Sequence, residues 1–206
     1  MRKYVPPFAR LVPPQAMKVF AGEIFDVYQW PQELYDGSTA TFEMLRRADT
    51  VKIIALVTPE EQKRCNFYNT LDETGIVITK QEQPTKPSFY DYPGGRVDET
   101  DQDEMAAAQR ELREETGLSF KNWKLVDVRQ PFNKIDWLVY TFVASGLIDQ
   151  QEQNLDGGER IEVQVASIPE IMQLAQNEDS KYLRFKEYKN FASADELLGL
   201  PALCEY

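Results

Sequence analysis

The sequence predicts an α/β protein in which a mixed sheet carries two main helices on opposite faces. Three observations predict it. Short alternating or β-branched runs recur along the chain. A stretch near the middle has the start and stop signals of one long helix. A later strand, "DWLVYTFVAS" (136–145), is apolar on both faces and so must be covered on both.

The elements follow in order. Residues 1–16 hold four prolines and little periodicity, which predicts an extended arm. Alternation in "KVFAGEIFDVYQW" (18–30) and "TATFEMLRR" (39–47) predicts strands. "DTVKIIALVT" (49–58) is β-rich and apolar, as a central strand is. The polar stretch "TPEEQKRCNFYNTLDETG" (58–75) ends in a turn signal, Asp72 to Gly75. "GIVITKQEQ" (75–83) and "SFYDY" (88–92) follow as strands, the second leading into Pro93-Gly94-Gly95. Asp101, with Glu104 three residues on, forms a capping box, and Gly117 suits the helix stop. These signals bound a helix of about 15 residues, Gln102 to Thr116. "WKLVDVRQ" (123–130) precedes the doubly apolar strand, and "DQQEQNLDGGE" (149–159) is a polar loop. "RIEVQVA" (160–166) is a strand, Ser167 with Glu170 caps a helix to about Gln176, and "SADELLGL" (193–200) is a short helix.

Composition narrows the chemistry. With 206 residues, 42% apolar and 28% charged, the chain has the make-up of one globular enzyme domain with extensions. It has no 18-residue apolar run and no apolar leader after the first basic residues, so no membrane span or secretory signal is expected. Cys65 and Cys204 read as free thiols in a cytoplasmic protein. A net charge of −11 argues against nucleic acid or an anionic membrane as partner, but not against a phosphorylated small molecule bound through a cation. The chain has no histidine, which removes every imidazole mechanism and His-ligated zinc. A metal site here must be built from oxygens, which favours Mg²⁺, Mn²⁺ or Ca²⁺.

The central helix crowds acids. At 3.6 residues per turn, Glu104, Glu111, Glu114 and Glu115 project within an arc of about 100°. Met105, Ala108 and Leu112 fall beside them and face the sheet. Like charges four apart, as in Glu111 and Glu115, cost a bare helix a few tenths of a kcal/mol, and Arg110 and Arg113 offset only part of it. A solvated acidic face is the ordinary explanation of such a helix. Here the acids form one patch after a Gly-Gly turn that admits close backbone approach, and no other cluster in the chain suits a metal.

The stretch "GGRVDETDQDEMAAAQRELREETGL" (94–118) resembles the Nudix box, G-x5-E-x7-R-E-U-x-E-E-x-G-U, where U is a bulky aliphatic residue. Arg110 to Leu118 matches at every defined position. The first half departs by one residue. Counted forward from Gly95, the box glutamate falls on Asp101; counted back from Arg110, it falls on Gln102. The extra residue is placed in the loop or at the cap, around Asp101 to Asp103. The resemblance implies a Nudix α/β/α sandwich with a mixed central sheet, and hydrolysis of a nucleoside diphosphate linked to another moiety. Carried over by position, it implies Glu111 and Glu115 as direct ligands of Mg²⁺ (Mn²⁺ as alternative). Glu114 is implied as a further ligand or water-orienting carboxylate, the Gly94 carbonyl as an extra ligand, and Arg110 as the residue that positions the glutamates. Such ions neutralise diphosphate oxygens and lower the pKa of a bound water, so in-line attack needs positioning more than a protein nucleophile.

Many members of that family take their general base from a later loop. "GGERIEVQVAS" resembles the end of that loop in the ADP-ribose pyrophosphatase branch and puts Glu159 at the matching position, with Glu152, Glu162 and Glu114 as rivals. "ATFEMLRRADTVKIIALV" resembles the segment before the core in ADP-ribose and nucleotide-sugar pyrophosphatases, where an added N-terminal β-sheet supports dimerisation and helps bind the base. This implies a division into residues 1–47 and a hydrolase domain over 48–206. Arg46 or Arg47 would meet a phosphate or ribose, and Trp30, Phe42 and Tyr28 are candidates to stack on a base or to fill a core. One departure bears on substrate: where the branch has Q-[YF]-R before the box, this chain has Gln81-Glu82-Gln83. The expected protein is a Mg²⁺-dependent homodimer that splits ADP-ribose or a nucleotide sugar into a nucleoside monophosphate and a sugar phosphate. Hydrolysis of dinucleoside polyphosphates or oxidised nucleotides is a second reading, and a non-catalytic Nudix-fold nucleotide sensor a third.

Overall fold

Two sheets carry the chain. A computed structural model describes residues 2–65, 67, 69–84, 87–155, 157–176 and 193–206. In the first sheet β1 (Met17–Ala21), β2 (Asp26–Glu33) and β3 (Thr39–Arg46) run antiparallel, and the short β8 (Ile135–Asp136) joins β3 in parallel. The second sheet has the order β10-β5-β4-β9-β7, with β6 (Phe89–Asp91) paired to β5. At its centre β4 (Thr50–Val57) lies parallel to β9 (Val139–Gln150). The neighbours β7 (Leu118–Arg129), β5 (Gly75–Glu82) and β10 (Arg160–Ala166) are antiparallel, so the sheet is mixed as expected.

Side-chain alternation along β4 divides the core. Val51, Ile53, Ala55 and Val57 face the helix α2 (Glu104–Thr116) and meet its buried Ala107, Ala108 and Leu112. Ile54 and Leu56 face the other way, toward Ile171 of α3 (Ile168–Leu174) and Leu197 of α4 (Ala194–Gly199). Helices therefore cover both faces, and Val139 to Ala144 of β9 are all buried, as an apolar-on-both-faces strand requires. Burying a leucine such as Leu112 stabilises by about 1.5–3 kcal/mol. Both α3 and α4 begin at the expected serines: Ser167 and Glu170 form a capping box, and Ser193 accepts from the Glu196 amide.

Several boundaries differ from the expectation, each for a local reason. The 18–30 stretch is two strands, because Gly22 donates to the Phe25 carbonyl and turns the chain into a hairpin. The stretch after β4, which its polar composition predicts as irregular chain, contains a helix, α1 (Pro59–Arg64). Its signal was present: Thr58 and Glu61 form a capping box with proline in the first turn. β7 starts at Leu118 and β9 runs to Gln150, since the antiparallel ladder pairs Leu118 with Gln150 and Ser119 with Asp149 whatever their polarity. The expected loop at 149–159 therefore begins only after Gln150, and residue 156 within it lies outside the described residues. The arm of residues 2–16 packs on the body: Arg2 pairs with Asp49 at 2.6 Å and Asp136 at 2.7 Å, and the Tyr140 hydroxyl donates to the Tyr4 carbonyl at 2.8 Å.

Candidate active site

The Gly94-Gly95 turn is zipped to the central strand. Ile53 donates to the Pro93 carbonyl, Val51 to the Gly95 carbonyl and Val97 to the Asp49 carbonyl, each at 2.9 Å. Gly94 has φ +147°, and a Cβ there would stand 2.1 Å from the Val51 carbonyl oxygen, so only glycine fits. The turn is thereby pressed against α2. The Gly94 amide donates to Glu115 Oε2 at 2.8 Å, and a Cβ on Gly95 would come within 2.4 Å of Glu111 Oε2.

The carboxylates that meet this turn are charged against their surroundings. Glu115 is 6% exposed, and burial pushes its carboxyl up to about 8, against the opposing pull of the Gly94 amide and Lys52. Burial pushes Glu111 up to about 7, with Arg110 opposing. Glu114 is partly exposed. These groups line a cleft of about 370 Å³ together with Gly94, Arg96 and Glu159. No three His, Cys, Asp or Glu side chains among the described residues stand as a ready coordination shell. Glu111 and Glu114 are instead turned to Arg110 Nη1, at 2.9 and 3.0 Å. The donor chemistry nonetheless fits a hard divalent cation: an all-oxygen set in which burial outweighs the opposing pull of Arg110 on Glu111 and of Lys52 on Glu115.

Arg110 also explains the extra residue in the box. Asp101 accepts from its Nε at 3.0 Å and its Nη2 at 2.8 Å, and Asp101 is held well below the usual carboxylate range by that contact. The same carboxylate accepts the Asp98 amide at 2.8 Å, closing the loop on itself. Asp101 is therefore not the helix cap. Asp103 is, accepting the Ala106 amide at 2.9 Å, and the helix starts at Glu104 rather than Gln102. Forward counting from Gly95 finds the acid that meets Arg110, and the added length falls between it and the cap. At the other end Gly117 closes the helix as expected, with φ +73°. Glu104 also departs from expectation. It is 1% exposed and accepts the Lys3 amide at 2.8 Å and the Tyr206 hydroxyl at 3.1 Å, two turns below the acidic cluster.

The loop after β9 is stapled to the same helix end. Gln151 donates to the Gly117 carbonyl at 2.8 Å, the Asn154 amide to the Glu114 carbonyl at 2.9 Å, and Gln153 Nε2 to the Glu115 carbonyl at 2.5 Å. This anchoring brings Glu159 to the cleft, where its charge adds to the upward push on Glu115. Glu152 and Glu162 line a different surface cavity, and Glu162 accepts from Gln164.

Arg46 and Arg47 line a second, larger cavity of about 820 Å³ with Tyr28 and Arg96. Trp30 and Phe42 line neither cavity. They pack against each other across β2 and β3 with ring centroids 6.0 Å apart, and Trp30 is 8% exposed, so their place is the small sheet's own packing. Sequence reasoning missed Arg96, Gln153, Lys52 and Trp137. Arg96 had a signal, being the residue that follows the Gly-Gly turn. Lys52, paired with Asp91 at 2.5 Å, and Trp137, beside Arg47, had none, because only tertiary packing brings them in.

The model of the NUDIX domain matches residues 64–186. A methanol dehydrogenase activator from Bacillus methanolicus is 25% identical over 184 residues, spanning 86% of this chain and 91% of the relative. A solved structure of an ADP compounds hydrolase superposes with a TM-score of 0.60 at 16% identity, over 87% of this chain and 95% of that one, a likeness of fold. No helix among the described residues is long and apolar enough to cross a membrane. With the domain match covering more than half its length, and the box helix, its glycine turn and the mixed sheet in place, the chain belongs to the Nudix family of hydrolases.

Proposed function

We propose that the protein is a Mg²⁺-dependent pyrophosphohydrolase that splits ADP-ribose or a nucleotide sugar into a nucleoside monophosphate and a sugar phosphate. The observation that carries this reading is the pair of carboxylates, half-buried Glu111 and buried Glu115, pressed against the Gly94-Gly95 turn with Glu159 on the same cleft. Glu111, Glu115, Glu114 and the Gly94 carbonyl hold the cation, Mg²⁺ or Mn²⁺. When bound it would supply positive charge to the diphosphate and acidify a water. Glu159 takes the proton of the attacking water, and Arg110 positions Glu111 and Glu114 from its anchor on Asp101. Arg46 and Arg47 meet the substrate from the adjoining cavity, and Trp30 and Phe42 support the base through the N-terminal sheet.

Residues 1–47 serve dimerisation and substrate support, and 48–206 form the hydrolase domain. A homodimer is supported by the edge strand β1, whose Met17 and Phe20 are 67% and 60% exposed. Free Cys65 and Cys204 support a cytoplasmic location. The test is a panel of nucleoside-diphosphate compounds with and without Mg²⁺, products identified by chromatography. Cleavage between the phosphorus atoms of ADP-ribose or a nucleotide sugar is expected, and Glu115→Gln should lower kcat by at least about 100-fold, the scale of several kcal/mol of metal-ion stabilisation. No turnover of any compound sinks the reading.

A second reading is an activator that acts on another enzyme, which the name of the Bacillus methanolicus relative favours. A protein that only senses nucleotide binds the panel compounds and turns over none.

A further inference from the structure

The larger cavity shares Arg96 and Asp98 with the carboxylate cleft. Most of its charges pair off. Arg2 holds Asp49 at 2.6 Å, Lys18 holds Asp26 at 2.5 Å, Arg46 reaches Asp136 at 3.9 Å, and Asp98 stands 3.6 Å from Arg110. Glu104 is occupied by the Lys3 amide and the Tyr206 hydroxyl, and Glu23 and Glu99 are exposed. Two cations are left over. Among the described residues neither Arg47 nor Arg96 makes an ion pair, in a chain of net charge −11.

Arg47 is the costlier of the two. Its Nε is buried without a hydrogen-bond partner. Its guanidinium lies 4.6 Å from the Trp137 ring centre and 5.6 Å from that of Phe25. The rings offset part of the charge but offer its N–H groups no oxygen acceptor. A buried unmatched donor is destabilising until an acceptor meets it. Burial, and then the like charge of Arg96, push this guanidinium's pKa down. Both arginines are mounted on fixed backbone. Arg96 is bridged to Thr50, and its carbonyl accepts from Arg110 Nη2 at 2.9 Å. The Arg47 amide donates to the Asp136 carbonyl at 3.4 Å. Two cations of like charge that line one cavity, half-buried Arg47 and exposed Arg96, beside a cleft for a diphosphate, are completed by an anion.

We propose that Arg47 and Arg96 form a subsite for a phosphate monoester that the substrate carries outside its scissile diphosphate. This rests on the pyrophosphohydrolase reading. The scissile group would have its own counter-charge in the cation proposed at Glu111 and Glu115. The adjoining cavity, about 820 Å³, has room for a nucleoside-sized moiety as well as its phosphate. Two planar guanidinium forks match the oxygens of a phosphate dianion.

Matched substrates test it: ADP-ribose against ADP-ribose 2′-phosphate, NADH against NADPH, and dephospho-coenzyme A against coenzyme A. Each is assayed with Mg²⁺ for kcat/KM and titrated by calorimetry for binding. The phosphorylated member of at least one pair is expected to be favoured about tenfold or more, mainly through KM. Arg96→Ala and Arg47→Ala should each bring that ratio to within about twofold of one, and Arg96→Lys should retain part of it. Equal values within every pair, or an Arg96→Ala loss that is the same for both members, overturns the subsite and leaves the hydrolase reading standing. If nothing is turned over but tighter binding of a phosphorylated member is lost in Arg96→Ala, the subsite stands and the hydrolase reading falls. Absence of both turnover and a binding difference overturns both.

Discussion

Glu111 and Glu115 hold their protons more tightly in the folded protein than in the unfolded chain, because burial raises them to about 7 and about 8. The sign of the consequence is fixed by linkage. Between the unfolded carboxylate range and these values the folded state binds more protons at these two groups, so their contribution to metal-free stability falls as pH rises toward 8. Each group contributes up to about 1.4 kcal/mol per pH unit in that window. With no histidine in the chain, few other groups titrate there. Metal-free protein should therefore melt higher at pH 6 than at pH 8, and Mg²⁺ should raise the melting temperature more at pH 8; a thermal scan with a chelator control reads both. Asp101 supplies a second residue-scale prediction. Its side chain is 6% exposed and doubly bonded to Arg110, so Asp101→Ala should destabilise by about 1.5–3 kcal/mol and lower kcat/KM. Gln102→Ala, at an exposed position, should stay within about 0.5 kcal/mol. Comparable effects at the two positions would remove Asp101 as the anchor. The sequence offered both residues for this place, and only the side chain that reaches Arg110 decides between them.

At the scale of the element, the box helix was legible in its second half and misread at its start. Positions 110 to 118 follow from spacing within one helix, which is local physics. The cap is not so local. Asp101 and Asp103 both have the chemistry to cap, and the competition is settled by Arg110, nine residues beyond Asp101. Asp103→Ala should cost about 1 kcal/mol, lowering Tm by roughly 2–4 °C for a chain of this size, whereas removal of a non-capping acid there would cost little. Calorimetric unfolding of Asp103→Ala beside Asp101→Ala measures both. The loop from Gln151 to Glu159 was legible only as polar. Its position comes from backbone groups of α2, the carbonyls of Glu114, Glu115 and Gly117, whose bonding needs carry no sequence signature. The helix α1 was missed although Thr58-Pro59-Glu60-Glu61 carries a capping box, because its six residues show too little apolar periodicity.

Over the whole molecule, the first residues of the chain are bound into the frame of the site. Arg2 lies between Asp49 and Asp136, buried acids at the head of β4 and in β8. The Asp49 carbonyl in turn holds Val97 of the box loop. Arg2→Ala leaves two buried carboxylates without their cation and should cost about 3–5 kcal/mol, measured by denaturant unfolding. A loss under about 1 kcal/mol would show that the arm is merely draped on the surface. By itself the sequence determined the fold class, the doubly buried strand, the helix that bears Glu111, Glu114 and Glu115, and the exclusion of imidazole chemistry. Periodicity, capping signals and composition are properties of neighbouring residues and need no third dimension. Only the tertiary structure decided that Glu104 leaves the acidic face for Lys3 and Tyr206, that Glu159 and not Glu152 or Glu162 meets the cleft, and that Arg47 and Arg96 make no ion pair among the described residues. Those outcomes depend on which distant groups burial brings together and which charges remain after the pairing. That is a property of the packed molecule and not of any stretch of chain.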